Sequence, residues 1–548
     1  MNATLTRTAL LAPASFRGIF RTDVDACAVY SEAAGVGRIM PAAVAVPADA
    51  DDVVALVRWA AEEHIALTAR GSGSSMGNGA IGAGVIVDLS ELRDIGGVDT
   101  AAGTISVGPA VTRDRVAREA AAHGLRFPVD PSSGSFATIG GMCATNASGA
   151  ATIRFGAMRK WVHGLDCVFA DGTRALIRRG QRPLQVPAIE RFIAAVAPHV
   201  ARAGAAAFQM PGVRKQSSGY GLAEWCASSD IVDLVVGSEG TLAIIVGVEL
   251  KLAPRAGGSA GLIAGFPDLE GAAAAAGRLT AAGASAVELL DRSFLEIASS
   301  SGEPLPVVLP HGLEAVLLVE IEDVSDGAAC GRLQELSGWC EAGGALFIEE
   351  ARDDATRARI WKLRHAASPI LNRLAPKLQS MQLVEDGCVP PARFAEYVRG
   401  VRRALKEARF KGVIFGHAGD GHAHVNALVD TKDVDWRGRA EFLMNEVTTL
   451  VSNLGGTLAG EHGDGRLRAP LMARTWSSQA MQRFAETKDA FDPDGILNPG
   501  VKIAALGARP LDQVKYDPAL PHLPPVARAA LDKIVRDNAW ATPRLSLL

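Results

Sequence analysis

Cysteine pairs, excess charge and long uncharged apolar runs are all scarce in this chain of 548 residues. Only 7 cysteines occur, and none belongs to a C-x-x-C pair, so the sequence gives no sign of a disulfide framework or an iron–sulfur cluster. The formal net charge is −4. No basic stripe interleaved with aromatic residues is present, and nucleic acid is therefore not an expected partner.

The apolar segments are too short or too charged to cross a membrane. The most apolar stretch, residues 231–254, carries Asp233, Glu239 and Glu249, whereas a membrane-spanning helix needs about 20 nearly uncharged residues. The N-terminal apolar run is shorter than a secretory signal requires. We therefore expect a cytoplasmic protein with no transmembrane segment, and peripheral attachment at the inner membrane face stays open.

The chain is too long for one hydrophobic core, which predicts two or three domains. Asp49 precedes an amphipathic segment with acidic residues in its first turn, which is typical of a helix start. Strand and helix signals alternate up to about residue 255, where Pro254 and a glycine cluster predict a boundary. Beyond it, a helix at 269–283 and a strand at 314–323 begin a second α+β unit. The Pro- and Ala-rich tail after about 510 is expected to wrap the surface.

Three glycine-rich loops are spaced across the first unit, at 68–79, 129–150 and 235–252. Small residues leave backbone N–H groups exposed in concave loops, and such loops suit phosphate oxygens. One loop alone would most often be only a loop. Three of them favour a single long ligand lying over several backbone amides, and a dinucleotide fits that description. No G-x-x-x-x-G-K-[ST] motif occurs, which excludes a P-loop ATPase.

Histidines concentrate at two glycine-punctuated turns in the second half of the chain. If residues 418–421 form a hairpin loop, His417 faces His422, and His424 and Asn426 share the same strand face. Two imidazoles on adjacent strands, with Glu461 as a carboxylate, have the composition of a site for zinc, manganese or iron. A single strand histidine is more often an ordinary hydrogen-bonded residue, so the prediction depends on the clustering.

Four motifs resemble the signature set of the FAD-linked oxidase family, which has the vanillyl-alcohol-oxidase type of flavin fold. They are R-G-x-G-S-S at 70–75, A-T-I-G-G-x-x-A-T-N-A-S-G at 137–149, G-S-E-G-T-L at 237–242 and D-P-D-G-I-L-N-P-G at 492–500. The resemblance extends from about residue 38 to residue 503. Within the family, the chain is most similar to D-lactate and D-2-hydroxyglutarate dehydrogenases and to the D-type subunit of glycolate oxidase.

The resemblance implies an α+β architecture, with a two-part FAD-binding α/β domain and an inserted α+β, ferredoxin-like cap domain for the substrate. The expected bounds are 1–255 for the main FAD part, 256–488 for the cap with its metal site, 489–510 for the return segment and 511–548 for the tail. The residues implied to line FAD are Arg70, Gly71, Ser72, Gly73, Ser74, Ser75, Pro131, Ser132, Gly140, Gly141, Asn146, Gly149, Glu239, Gly240, Thr241 and Asn498.

Non-covalent FAD is expected. Relatives with covalent flavin often carry a histidine in the first loop, where this chain has Gly73, Ser74 and Ser75. Cys143 in the second loop is interpreted as a small buried residue and not as a point of flavin attachment.

The resemblance also gives roles to the histidine turns. It implies His417, His424 and Glu461 as ligands of a divalent metal, with zinc favoured and manganese or iron left open, and His462 as the catalytic base. His422 is expected to lie behind the ligands. These roles agree with the chemistry, because a metal on the substrate hydroxyl lowers its pKa and a neutral histidine within reach can take its proton.

Substrate contacts are expected from Asn426 and from Arg364, which resembles the arginine that binds the substrate carboxylate in the family. An exposed helix arginine is the ordinary alternative for Arg364. Arg373 and Lys377 are weaker candidates for a second carboxylate, and the segment 385–390, EDGCVP, is interpreted as structural.

These features predict a FAD-dependent, metal-assisted dehydrogenase that oxidises a D-2-hydroxy acid to the 2-oxo acid by hydride transfer to flavin N5. No cysteine follows Cys388, so electrons would leave to a separate acceptor such as a quinone, a cytochrome, an electron-transfer flavoprotein or O₂. A homodimer would be unsurprising.

Two alternatives stay open. The first is a non-redox flavoenzyme of the alkyl-ether-lipid synthase type, against which Glu461 argues, because those enzymes carry a histidine run there. The second is a non-catalytic FAD-binding subunit of a larger complex, against which the retained ligand-type residues argue.

Overall fold

The computed structural model of the chain describes residues 10–182, 185–300, 305–365 and 378–548. Its strands are β1 (Ile19–Arg21), β2 (Ala43–Val46), β3 (Leu67–Arg70), β4 (Val85–Asp88), β5 (Ile95–Asp99), β6 (Thr104–Val107), β7 (Leu125–Arg126), β8 (Val162–Val168), β9 (Arg174–Arg178), β10 (Ile244–Lys251), β11 (Ala253–Pro254), β12 (Gly258–Phe266), β13 (Ala286–Asp291), β14 (Ala315–Asp323), β15 (Phe347–Ala351), β16 (Gln379–Met381), β17 (Gly387–Cys388), β18 (Lys411–His417) and β19 (His422–Val429).

Helices connect most of these strands. The α-helices are α1 (Val24–Tyr30), α2 (Ala50–Glu62), α3 (Arg113–Ala122), α4 (Ile139–Thr145), α5 (Thr152–Phe155), α6 (Met158–Trp161), α7 (Pro187–Arg191), α8 (Ala197–Ala203), α9 (Leu222–Ser228), α10 (Ile231–Val235), α11 (Leu269–Ala281), α12 (Arg292–Ser300), α13 (Asp326–Ala342), α14 (Asp354–His365), α15 (Phe394–Glu407), α16 (Trp436–Asn453), α17 (Gly465–Arg468), α18 (Ser478–Phe491) and α19 (Pro525–Asp537). Across the part of the chain that the structure describes, no helix has both the length and the apolarity to cross a membrane.

Two larger sheets and the two-stranded pairing of β7 with β11 form the part of the chain before residue 255. The first has the order β1–β2–β4–β3, with β2, β4 and β3 paired in parallel. Helix α2 packs on it through Val53 and Leu56, and it begins at Asp49, whose side chain accepts from the N–H groups of Asp51 and Asp52. The predicted cap is thus confirmed. The second sheet is antiparallel, with the order β5–β6–β10–β8–β9.

The second unit begins as a ferredoxin-like fold. Its elements run β12–α11–β13–β14–α13–β15, with the short helix α12 in the β13–β14 connection, and the strand order is β15–β12–β14–β13 with antiparallel neighbours throughout. The expected ferredoxin-like unit is therefore confirmed. The sheet then continues with β18, β19 and β16, and β17 also pairs with β19. The histidine-bearing hairpin is this extension.

Both faces of the large sheet are covered, which explains the continuous apolar runs in its strands. On β12, Leu262 and Ala264 belong to a core that includes α11 and α13, whereas the intervening Ile263 packs with the cluster that includes α12 and α14. Burial on two sides fixes the sheet firmly, so the side chains at its edge are held in place by packing.

The chain returns to the first unit before residue 489. Trp476 and Phe484 are buried in the same core as Phe192 and Phe208 of the first unit. The expected boundary at residue 488 lies inside α18. Because Trp476 already packs in the core of the first unit, the chain re-enters that unit at least a dozen residues before the expected boundary. After α18, the N–H of Asn498 donates to the carbonyl of Leu67 at 2.8 Å, next to β3.

Candidate active site

The histidine hairpin has the register that the sequence predicts. His417 pairs with His422 across β18 and β19, and a single 3₁₀ turn over residues 418–420 followed by Gly421 closes the loop. The imidazole centroids of His417 and His422 are 5.3 Å apart, and those of His422 and His424 are 4.6 Å apart. The three rings therefore gather on one face of the hairpin.

Three ligand-type atoms converge beside this hairpin. His417 Nε2 lies 3.4 Å from His424 Nε2 and 3.2 Å from Glu461 Oε1, and His424 Nε2 lies 3.3 Å from the same oxygen. Ligands of a tetrahedral ion with bonds of about 2.1 Å are roughly 3.4 Å apart. The three atoms thus have the spacing of one face of a metal coordination sphere, and the donor set fits a divalent metal.

The partners of the other ring nitrogens orient both histidines toward this point. His424 Nδ1 lies 3.1 Å from the backbone oxygen of Glu385, which can only accept, so Nδ1 carries the proton and Nε2 presents its lone pair. His417 Nδ1 pairs with the buried carboxylate of Glu288. Neither Glu288 nor this arrangement was predicted from the sequence.

Glu461 presents a single oxygen to the histidines, because its Oε2 is occupied. That oxygen accepts from Ser148 Oγ at 2.6 Å and from Lys215 Nζ at 3.0 Å. Burial opposes ionisation of Glu461, but the charges of Lys215 and His417 outweigh it and hold the pKa of this carboxyl well below its usual range. Ser148 and Lys215 come from the first unit, so the site is built by both units.

Arg364 is buried and not an exposed helix arginine. Its Nε donates to Glu288 Oε2 at 2.8 Å, and its guanidinium stacks over Phe415, with 4.6 Å between the guanidinium carbon and the ring centroid. One carboxylate thus fixes both Arg364 and His417. Arg373 and Lys377 lie outside the described residues.

Residues 385–390, interpreted as structural, do include the short strand β17, but two of their carboxylates also hold the histidines. Glu385 Oε2 accepts from His462 Nδ1 at 2.7 Å. Asp386 accepts from the backbone N–H of His462 at 2.9 Å and from His422 Nε2 at 2.9 Å. Burial lowers the pKa of His422 to about 3, so this ring is neutral. It is absent from the cavity wall that His417 and His424 line among the described residues, and Asp386 is its partner.

His462 is partly buried, and its Nε2 lies 3.8 Å from Glu461 Oε1. Burial lowers the pKa of His462, but the charges of Glu385 and Asp386 outweigh that effect and raise it to about 10. At neutral pH the ring is therefore an imidazolium. The Glu385 carboxylate holds its Nδ1, and its Nε2 lies on the side of the triangle formed by His417, His424 and Glu461.

The Gly-Asp-Gly at 463–465 joins this site to the third glycine loop. Glu239 accepts from the N–H of Asp464 at 2.7 Å and from that of Gly465 at 3.0 Å, and Lys502 Nζ lies 3.1 Å from Glu239 Oε1. A Cβ on Gly465 would lie 1.7 Å from the backbone oxygen of Gly77 in the first loop. Only glycine allows the turn to approach the loop this closely.

The site opens onto a cavity of about 1740 Å³, larger than the roughly 300–1,000 Å³ of ordinary small-molecule pockets. Two groups of predicted residues share its wall. The residues from the histidine site are Arg364, His417, His424, Asn426, Glu461 and His462. The residues from the glycine loops are Arg70, Gly71, Ser72, Gly73, Ser74, Ser75, Pro131, Ser132, Gly140, Gly141, Gly149, Glu239 and Gly240.

Three residues expected at the cofactor are not on the cavity wall as the described residues form it: Asn146, Thr241 and Asn498. They hold the loops from behind. Asn146 ends α4 in a left-handed conformation and accepts from the N–H of Arg159 at 2.9 Å. Asn498 donates to the backbone oxygens of Gly79 and Glu239 at 2.9 and 2.8 Å.

The loops fit a dinucleotide. A Cβ on Gly149 would lie 2.0 Å from the backbone oxygen of Asp130. The two ends of the second loop can therefore approach each other this closely only because residue 149 has no side chain. The buried Ser75 Oγ has no hydrogen-bond partner among the described residues, although it belongs to the first loop; such a group usually signals a polar ligand. Cys143 is fully buried, and burial raises the pKa of its thiol, which agrees with its interpretation as a small core residue.

Comparisons with known proteins identify the same kinds of domain. Residues 41–176 match the FAD binding domain family, and residues 259–501 match the family described as FAD linked oxidases, C-terminal domain. The chain is 28% identical over 486 residues to the glycolate oxidase subunit GlcD of Bacillus subtilis strain 168, covering 88% of this chain and 93% of the relative. It is also 28% identical over 469 residues to a D-lactate dehydrogenase of Archaeoglobus fulgidus, covering 84% and 91%.

Among solved structures, an alkyldihydroxyacetonephosphate synthase matches with a TM-score of 0.60 at 14% identity, covering 88% of this chain and 82% of that one. At this identity the likeness shows the fold alone, and it confirms the predicted flavin fold. With a FAD binding domain followed by the C-terminal domain of the family, the chain belongs to the FAD-linked oxidases.

Proposed function

We propose that this chain is a FAD-dependent, metal-assisted dehydrogenase that oxidises a D-2-hydroxy acid, of the D-lactate, D-2-hydroxyglutarate or glycolate type, to the 2-oxo acid. The observation that carries the proposal is the triangle of His417, His424 and Glu461 on the wall of the cavity that the glycine loops also line. The names of the curated relatives, a glycolate oxidase subunit and a D-lactate dehydrogenase, support this reaction class.

Bound FAD supplies a hydride acceptor, and a bound divalent metal, with zinc favoured and manganese or iron as alternatives, supplies a Lewis acid for the hydroxyl oxygen. The protein supplies position. Arg364 is the group for the substrate carboxylate, because Glu288 and Phe415 hold its guanidinium fixed at the cavity wall. Asn426 shares the strand face of His424 and lines the same cavity, where its amide can bind the substrate.

His462 is the residue that receives the hydroxyl proton. Glu385 holds Nδ1, so Nε2 is the atom that faces the cavity side of the ligand triangle. A general base must be neutral, whereas the surrounding carboxylates favour the imidazolium. A divalent cation held by Glu461 would oppose the effect of those carboxylates and lower the pKa of His462. Metal binding would therefore favour the neutral ring that a general base requires.

The two alternative functions predict different behaviour of the bound flavin. A non-redox flavoenzyme or a non-catalytic FAD-binding subunit would bind FAD but would not be reduced by a hydroxy acid. The likeness to alkyldihydroxyacetonephosphate synthase does not favour the first of these, because it concerns the fold. The electron acceptor, a quinone, a cytochrome or an electron-transfer flavoprotein, is proposed to be a separate molecule.

The test is anaerobic mixing of the FAD-loaded, metal-loaded protein with D- and L-2-hydroxy acids, followed by flavin absorbance. At least one D-acid should bleach the flavin, and its L-enantiomer should not. His462→Ala should retain FAD and slow the bleaching roughly a hundredfold or more, the usual contribution of a positioned base. His199→Ala, an exposed histidine on α8, is the matched control and should bleach at the wild-type rate.

Bleaching by L-acids alone would contradict the stereochemical part of the proposal. A His462→Ala variant as fast as the control would refute the base, and a flavin that no hydroxy acid reduces would favour the two alternatives.

A further inference from the structure

The C-terminal segment 511–548 lies beyond both family matches, which end at residues 176 and 501. It is nevertheless built into the molecule. Val514 pairs with Gly37, and the backbone N–H of Lys515 donates to the carbonyl of Val36 at 2.8 Å. Lys515 Nζ donates to the carbonyl of Gly35 at 2.9 Å. The N–H of Gly35 in turn donates to Ser75 in the first glycine loop, so the segment is tied to that loop through residues 35–37.

The segment also connects the two units. Leu511 and Val514 are buried in the core of the large sheet, and Arg437 of α16 donates to the carbonyl of Leu511 at 2.9 Å. Farther along, α19 buries Leu531 and Ile534 against α1 and β2 of the first unit. The segment therefore crosses from one unit to the other.

Its path crosses the cavity. Lys515, Tyr516, Val535, Arg536 and Trp540 all line the cavity that the glycine loops line. Arg528 and Asp532 line it as well, so the segment supplies three basic side chains, one carboxylate and two aromatic rings to the wall. Such a wall suits an anionic ligand that carries flat heterocycles.

Arg544 gives the segment a buried charge at the first loop. Its Nη2 donates to the carbonyl of Ser72 at 3.1 Å, and its guanidinium carbon lies 5.2 Å from the Trp540 ring centroid. Arg544 is 3% exposed. Its Nε and Nη1 are buried and have no hydrogen-bond partner among the described residues.

A second buried guanidinium lies close by. Arg70 is 1% exposed, and within the described parts of the chain its Nη groups donate to three backbone oxygens, those of Tyr30, Glu32 and Ala80. Burial, and after it the charge of Arg70, lower the pKa of Arg544 to about 9. The nearby carboxyl of Asp88 is engaged by Tyr30 and by the N–H of Ser90.

Two buried guanidiniums without a dedicated carboxylate are costly unless an anion joins them. The cavity beside them is lined by the first glycine loop, whose N–H groups suit phosphate oxygens. The diphosphate of FAD is an anion of the required charge, and the FAD binding domain match places this cofactor in the first unit.

We propose that the segment 511–548 is part of the FAD site, where it closes the cavity over the dinucleotide, and that Arg544 fastens it to the first loop and helps to balance the charge of the diphosphate. Arg544 is a positioning residue here: it acts on FAD through Ser72 and through its charge. The proposal concerns FAD binding only, so it stands or falls independently of the substrate.

The experiment measures FAD affinity in reconstituted protein by the change in flavin fluorescence, with no turnover required. Arg544→Gln removes the buried positive charge and should raise the FAD dissociation constant roughly tenfold to a hundredfold, the scale of one charge-assisted interaction. Arg544→Lys keeps the charge and should stay near the wild-type value. Lys533→Gln makes the same change of charge at an exposed position of α19 and should have no effect.

A second measurement uses the unaltered chain, so it does not depend on whether a variant folds. Amide hydrogen exchange across residues 525–548 should slow when FAD is added to the apoprotein. Exchange in this segment that is the same with and without FAD would overturn the proposal. Equal FAD affinity in Arg544→Gln, Arg544→Lys and wild-type protein would overturn the role of the charge.

Discussion

Glu288 offers the sharpest test of the site, because this one buried carboxylate contacts both His417, the proposed metal ligand, and Arg364, the proposed group for the substrate carboxylate. It lies on β13, is fully buried, pairs with His417 Nδ1 through Oε1 and accepts from Arg364 Nε through Oε2. Glu288→Gln keeps the size of the side chain. The amide has one acceptor oxygen, so its NH₂ group must face one of the two N–H donors.

The size of the expected loss of metal affinity in Glu288→Gln can be obtained in two ways. Losing the partner that orients a ligating histidine usually costs 10- to 100-fold in metal affinity, which is about 1.4–2.8 kcal/mol. A buried donor left facing another donor costs about 1–3 kcal/mol. The two ranges agree. We therefore expect Glu288→Gln to bind Zn²⁺ roughly 10- to 100-fold more weakly than wild type, with FAD affinity little changed because Glu288 has no contact with the glycine loops among the described residues.

The assay is competition for Zn²⁺, and separately for Mn²⁺, between the FAD-loaded protein and a chromophoric chelator. Glu320→Gln is the matched control, because Glu320 lines the same cavity from the neighbouring strand β14 but no contact between it and the histidines is found in the described structure. Zinc affinity in Glu288→Gln within twofold of the control would refute the reasoning that His417 is a ligand oriented from behind.

Two further predictions concern stability. Asn498→Ala removes a buried side chain in a left-handed conformation that donates to two backbone oxygens, and each orphaned acceptor costs about 1–3 kcal/mol. Its free energy of unfolding in urea should fall by about 3–5 kcal/mol, whereas Ser229→Ala, at an exposed left-handed position, should change it by under about 0.5 kcal/mol; equal losses would show that only the backbone conformation matters. Burial raises the pKa of Glu320 to about 7, so the folded chain binds the proton of this carboxyl more tightly than the unfolded chain does. As the pH rises from the pKa of the unfolded state through 7, ionisation of Glu320 therefore lowers the stability of the fold. Glu320→Gln should therefore raise the unfolding free energy at pH 8 by about 1 kcal/mol after allowance for partial exposure and leave it nearly unchanged at pH 5; a gain of the same size at both values would contradict the shift.

Parts of the site follow from local sequence. The register of the histidine hairpin follows from a short glycine-bearing loop and the two-residue period of the strands, which put His417, His422 and His424 on one face before any fold is known. The helix cap at Asp49 is local in the same way. In each case the residues that matter lie within a few positions of one another, so short-range rules suffice.

Other parts depend on the fold. Glu288 stands inside AVELLD, a strand whose only other polar residue is its last one, Asp291. A carboxylate inside such an apolar run signals a buried partner, but nothing nearby in sequence identifies His417 as that partner. Glu385 and Asp386 precede a glycine, and they resemble an ordinary turn. Their roles appear only when β17 pairs with β19 and brings the segment under the histidines.

Glu461 shows why the two units form one site. Its Oε2 is held by Ser148 and Lys215 of the first unit, and its Oε1 meets His417 and His424 of the large sheet. Ser148 directly precedes Gly149 in the second glycine loop, and both residues line the cavity. The carboxylate that completes the triangle with His417 and His424 is therefore positioned in part by a loop that we propose faces the dinucleotide. A shift of that loop would move Glu461, so the relative placement of the two units sets the geometry of the ligands as directly as the hairpin does.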